Sequence, residues 1–124
     1  EVEYVPQGTL AERIRAYGAG LGGVLTPTGL GTIIQDGKQI VNVDGKDYIL
    51  EKPLKADIAF LRANIVDEEG NMVFLGTTQN FNPLMAMAAD YVVVEAEKLV
   101  KRGEIAPEQI HASGIFVDGI YLEK

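Results

Sequence analysis

The sequence predicts an α/β fold in which part of the sheet is parallel. Three observations carry this. Tyr91-Val92-Val93-Val94 is a short, continuous, β-branched apolar run of the kind that fills a strand buried on both faces. Strand-like segments alternate with helical ones along the whole chain. The 124 residues, 47% of them hydrophobic, amount to one domain with enough apolar material for a real core.

The elements follow in order. Val2 to Val5 alternates and stops at Pro6, a short strand. Thr9, with Glu12 three residues on, forms a capping box. It opens a helix with Leu10, Ile14 and Tyr17 on one face, ending at Gly18. A glycine-rich loop follows. Gln39–Val43 and Asp47–Glu51 flank Asp44-Gly45, a hairpin. Ile58–Leu61 reads as a buried strand continuing toward Ile65, and Glu69-Gly70-Asn71 turns it into a neighbour at Met72–Leu75. Pro83 starts a helix through Ala89, with Asn80 or Asn82 at its N-terminus. Tyr91–Val94 is the central strand, Glu97–Arg102 a short amphipathic helix, and Pro107–Ile110 a helical turn. Asp118-Gly119 between apolar runs suggests a hairpin turn. No internal repeat or linker interrupts the chain.

Composition excludes several classes of function. There is no cysteine, hence no disulfide, thiol nucleophile or Cys-ligated zinc. One histidine, His111, cannot build a His-rich metal site, and it reads as a hydrogen-bonded structural residue. Net charge is −7, without a basic stripe to follow phosphates, so no nucleic-acid partner is expected. No apolar run approaches about 18 residues, so no membrane span is expected. The chain opens on Glu1 without a basic-then-apolar leader, so a secretory peptide is expected to be absent or already removed.

Gly18 to Gly29 holds five of the fourteen glycines in twelve uncharged residues. It is too glycine-rich for a helix interior and too poor in side chains for a core strand. Glycine lets backbone approach another group, and exposed N–H groups bind anions and carbonyl oxygens. A tight connection without a ligand is the alternative. Gly18-x-Gly20-x-x-Gly23 matches the dinucleotide fingerprint, with Asp44 about 20 residues on. The fingerprint must follow a strand and open a helix, whereas these glycines follow a helix, so nicotinamide and flavin are rejected. Ser113 is the sole serine and lies in no nucleophile elbow. Asp67, Glu68 and Glu69 read as a solvated turn, and Glu95 and Glu97 as favourable charges opening a helix. Asn80-Phe81-Asn82-Pro83 sets two carboxamides around an aromatic ring; they serve as caps and turn formers or as uncharged ligands. No complete catalytic set is present, so a reacting side chain must come from elsewhere.

These residues also carry a family resemblance. Val5-Pro6-Gln7-Gly8-Thr9-Leu10-Ala11-Glu12-Arg13-Ile14-Arg15, then Gly18-Ala19-Gly20 and Thr26-Pro27-Thr28-Gly29-x-Gly31-Thr32, resemble the α subunit of family I coenzyme A transferases. Asp57-Ile58-Ala59-Phe60-Leu61-Arg62-Ala63, Asp67-x-x-Gly70-Asn71 and Asn80-Phe81-Asn82-Pro83 continue the match. Ala89-Asp90-Tyr91-Val92-Val93-Val94-Glu95 and Pro107-Glu108-x-Ile110-His111 complete it. The family's Gly-Gly-Phe and Ser-Glu-Asn-Gly motifs are not in this sequence. The resemblance therefore implies the C-terminal portion of an α subunit, spanning residues 1–124, with an open, mixed-to-parallel sheet and flanking helices. It implies a cytoplasmic hetero-oligomer, in which a β subunit supplies the nucleophilic glutamate and no catalytic residue lies in this chain. The substrates implied are acyl-CoA and a short-chain carboxylate such as acetate or acetoacetate. Coenzyme A is a substrate, with no permanently bound cofactor and no metal. The mechanism implied is ping-pong, through a glutamyl-CoA thioester. On this basis Gly20, Gly22, Gly23, Thr26, Thr28 and Gly29 are expected to shape the acyl pocket, with Asn80 and Asn82 framing it. Three alternatives stand beside it: a sugar-phosphate isomerase-like domain of related fold, a non-catalytic interaction or small-acid-binding module, and half a domain unable to fold alone.

Overall fold

Residues 2–123 are described by the computed structural model, which divides the chain into two units, residues 1–55 and 56–124.

The first unit begins with helix α1 (Gln7–Gly18), followed by strands β1 (Val24–Thr26), β2 (Ile40–Val43) and β3 (Lys46–Glu51). The strands form an antiparallel sheet in the order β1-β3-β2. Asp44-Gly45 makes the expected hairpin. Both residues have positive φ, 51° and 80°, the primed turn that matches strand twist. Ile49 and Ala16 are completely buried. Glu51 is also buried, and its carboxylate is neutralised by the Lys38 ammonium at 2.7 Å. The Arg13 guanidinium donates to the Lys52 carbonyl and Leu54 N–H donates to the Arg13 carbonyl, which fastens α1 to the chain after β3.

Two expectations fail here. Val2 to Val5 form no strand; Val2, Glu3 and Tyr4 are exposed, and Glu3 pairs with Arg13 instead. The helix starts at Gln7, directly after Pro6, so Thr9 is a buried residue of the first turn rather than its cap. Proline at the boundary presets the helical φ and has no N–H to leave unsatisfied, which moves the start forward.

The second unit is built on β4 (Ala56–Asp67), β5 (Met72–Val73), β6 (Ala89–Val100) and β7 (Gly119–Leu122), in the sheet order β5-β4-β6-β7. β6 runs parallel to both β4 and β7, while β5 is antiparallel to β4. The expected mixed-to-parallel sheet, with the Val92–Val94 strand inside it, is therefore found. Ala59, Leu61 and Ala63 alternate on β4 with partners Val92, Val94 and Ala96 on β6. Phe74, Met72 and Ala86 complete that core. The neighbouring positions Ile58, Phe60, Tyr91 and Tyr121 are exposed.

The remaining differences are non-local in origin. Glu97 to Val100 continue β6, because its pairing with β4 runs on to Asp67↔Val100; Glu95 and Glu97 thus lie within a strand, not at a helix start. Asp118 is no hairpin turn. Its carboxylate accepts the Val92 N–H and its own N–H donates to the Val92 carbonyl, which opens the parallel pairing of β7. The helix begun near Pro83 is a single turn, α2 (Asn82–Met85), before β6 takes over at Ala89.

Asp67 also departs from the solvated turn expected of it. It is 2% exposed and accepts the N–H groups of Glu69 and Asn71 and the Asn71 carboxamide, each at 2.9 Å. Asp67→Ala would strand three donors, and a loss of about 3 kcal/mol is expected in chemical denaturation. His111 is structural, as expected: its Nδ1 accepts the Phe74 N–H at 3.0 Å and its ring stacks on Phe74.

Candidate functional site

Six of the expected site residues fall in the first unit and two in the second. The glycine loop follows α1 and leads into β1, the wrong context for a dinucleotide turn. Gly20, at φ 68°, closes the helix: its N–H donates to the Tyr17 carbonyl, and the Leu21 N–H reaches back to Ala16. This is a Schellman cap, so the Gly20 N–H is spent within the helix. The N–H groups of Gly22 and Gly23 make no hydrogen bond among the described residues. With the Gly29 N–H, which makes none either, they are donors the loop offers.

The glycines are not equivalent. A Cβ on Gly23, at φ 154°, would lie 2.8 Å from the Glu51 carbonyl oxygen, so this residue must be small for β1 to meet β3. A Cβ on Gly22 would meet nothing within 4 Å. Gly29 packs against Ile34, and its carbonyl accepts both the N–H and the hydroxyl of Thr32. The Thr26 hydroxyl accepts the Thr28 N–H at 3.1 Å, which fixes the turn after β1.

Thr26 and Thr28 line an open cleft of about 730 Å³, together with Val24 and Leu25 of β1 and Pro6, Gly8, Thr9, Ala11 and Glu12 at the start of α1. Sequence reasoning missed the α1 side. Pro6 directly ahead of Gln7-Gly8 was the available signal, since proline favours the first-turn boundary. Pro6 gives no side-chain cap, and the first turn holds no acidic residue. The positive end of the helix therefore opens on this cleft without an internal anion. Glu12 is bonded to Arg15, and that guanidinium holds its carboxyl below the usual range.

In the second unit, Asn82 has both polar ends engaged. Its oxygen accepts the Arg62 N–H and its nitrogen donates to the Thr78 carbonyl, which ties the turn before α2 to β4. Asn80 is exposed and its side chain is unbonded among the described residues. No group of three or more His, Cys, Asp or Glu suited to a metal ion occurs among the described residues. No helix there is long and apolar enough to cross a membrane.

The family model described as coenzyme A transferase matches residues 1–123. The acetoacetyl-CoA:acetate/butyrate CoA transferase alpha subunit of Clostridium acetobutylicum is 54% identical over 123 residues, which is 99% of this chain and 56% of the relative. The acetate CoA-transferase subunit alpha of Escherichia coli K12 is 49% identical over 124 residues, again 56% of its length. The chain thus spans about half the length of the curated relatives it matches. Among solved structures, an acyl-CoA transferase from Escherichia coli O157:H7, in thioester complex with CoA, superposes with a TM-score of 0.86 at 26% identity, covering 98% of this chain and 27% of that one. A family match running through residue 123, and a fold shared over nearly the same span, place this chain in the coenzyme A transferase family.

Proposed function

We propose that this chain is part of an acyl-CoA:carboxylate CoA-transferase and forms the non-nucleophilic side of its active site. The observation that carries this reading is the cleft between α1 and β1. It is lined by apolar and hydroxyl side chains and one carboxylate, Glu12, which is paired with Arg15; it is open to the positive end of a helix and carries no lysine or arginine. Such a lining suits a short acyl group and its carboxylate better than a sugar phosphate, which calls for cationic partners. The named relatives act on acetoacetyl-CoA, acetate and butyrate or carry acetate in their names, which fits the same scale of substrate.

The partner is a β subunit that supplies a glutamate. Its carboxylate attacks the thioester carbonyl and expels the CoA thiolate, leaving an acyl-glutamyl anhydride. The thiolate then attacks the glutamyl carbonyl, releases the first acid and forms a glutamyl-CoA thioester. The acceptor carboxylate reverses the sequence. Each step passes through a tetrahedral oxyanion, for which preset N–H donors are the natural stabilisers. In this chain Gly22 and Gly23 offer those donors. Gly20 and Gly29 hold the loop in shape, Thr26 and Thr28 wall the acyl pocket, and in the second unit Asn82 positions the turn that carries Asn80. Coenzyme A is a substrate throughout, and the assembly is a cytoplasmic hetero-oligomer.

The test is CoA transfer from acetoacetyl-CoA to acetate by a full-length α subunit carrying this sequence, mixed with its β subunit. Activity is expected in the mixture and in neither component alone. A stable complex without transfer from any short acyl-CoA would overturn the reading.

A further inference from the structure

Thr9 is an anomaly in the first unit. It is 6% exposed, yet its hydroxyl has no hydrogen-bond partner among the described residues. No polar side-chain atom sealed from solvent is left unsatisfied there, so the little surface Thr9 keeps includes its oxygen, and Thr9 lines the cleft between α1 and β1. The hydroxyl is thus open to the cleft, where water or a ligand bonds it. A threonine within a helix ordinarily bonds a carbonyl of the preceding turn, and this one does not. It also sits in the first turn of a twelve-residue helix that has no side-chain cap and no acidic residue in that turn. The one carboxylate of the cleft lining, Glu12, is paired with Arg15.

We infer that Thr9 is a substrate-binding residue whose hydroxyl donates to a carboxylate oxygen of the acceptor acid, held against the first turn of α1. The inference rests on the transferase reading above and adds a residue to it. An anion there meets the positive helix end and a hydroxyl held on a rigid helical turn with no internal bond to break, so little reorganisation accompanies binding. Valine has the shape of threonine without the hydroxyl, so it separates the two roles that Thr9 could have.

The experiment compares wild type, Thr9→Val and Thr9→Ser in the assembled enzyme, reading KM for acetate and the melting temperature. Thr9→Val is expected to raise KM for acetate about tenfold, the worth of one hydrogen bond. Its melting temperature should stay the same or rise, because no internal bond is lost. Thr9→Ser should recover most of the wild-type KM. An unchanged KM in Thr9→Val, or a fall in melting temperature without a change in KM, would overturn the inference while leaving the transferase reading standing. A wild-type enzyme with no CoA transfer would remove the reading and this inference with it.

Discussion

Replacing Gly114 with alanine is expected to lower stability by about 4 kcal/mol or more, because its Cβ would meet other atoms more closely than a Cβ at any other glycine. The added Cβ would lie 1.9 Å from the Glu69 carbonyl oxygen, 2.7 Å from its carbon and 2.9 Å from the Asn71 nitrogen. All three are backbone atoms and cannot turn aside as a side chain would. The same contact is held from the other side by the Asn71 carboxamide, which accepts the Gly114 N–H at 2.9 Å and is itself bonded to the buried Asp67. The two segments can part only by breaking that network. Urea denaturation of wild type and Gly114→Ala measures the cost, and a loss below about 1 kcal/mol would show that the turn moves aside easily.

The second large effect divides two neighbours. Gly22→Val is expected to lower turnover about a hundredfold with little change in melting temperature, because its side chain has room in the folded chain but would cover the loop's donors. Gly23→Val is expected to cost about 3 kcal/mol of stability, since its Cβ meets the Glu51 carbonyl oxygen at 2.8 Å and its φ suits glycine. Parallel melting curves and steady-state kinetics of the two variants in the assembled enzyme decide the matter. Full activity in Gly22→Val would make the loop a structural connection only.

Local chemistry was legible in the sequence wherever neighbours in the chain decide the outcome. Asp44-Gly45 dictated its hairpin through backbone conformation alone. Gly20 and its surrounding glycines ended α1, and the valine run of β6 announced a strand between two others. What was not legible depends on distant partners. Glu97 to Val100 have helix-forming composition but pair along β4. Asp118 resembles a turn residue, yet its partner is Val92, 26 positions away. At the site, the glycines and threonines of the loop could be picked out because few other roles suit them. Their division of labour could not, because β3 crowds Gly23 and leaves Gly22 open. Thr9 was missed as a cleft residue because its sequence neighbours look like a capping box, whereas Pro6 starts the helix earlier.

The most direct measurement is to locate the covalent intermediate. The assembled enzyme is mixed with acetoacetyl-CoA, quenched in acid, and each subunit is weighed by intact-protein mass spectrometry. The account predicts a CoA adduct on a glutamate of the partner subunit and none on this chain, with the adduct lost when acetate is added. An adduct on one of this chain's own carboxylates, or turnover without any adduct, would contradict it.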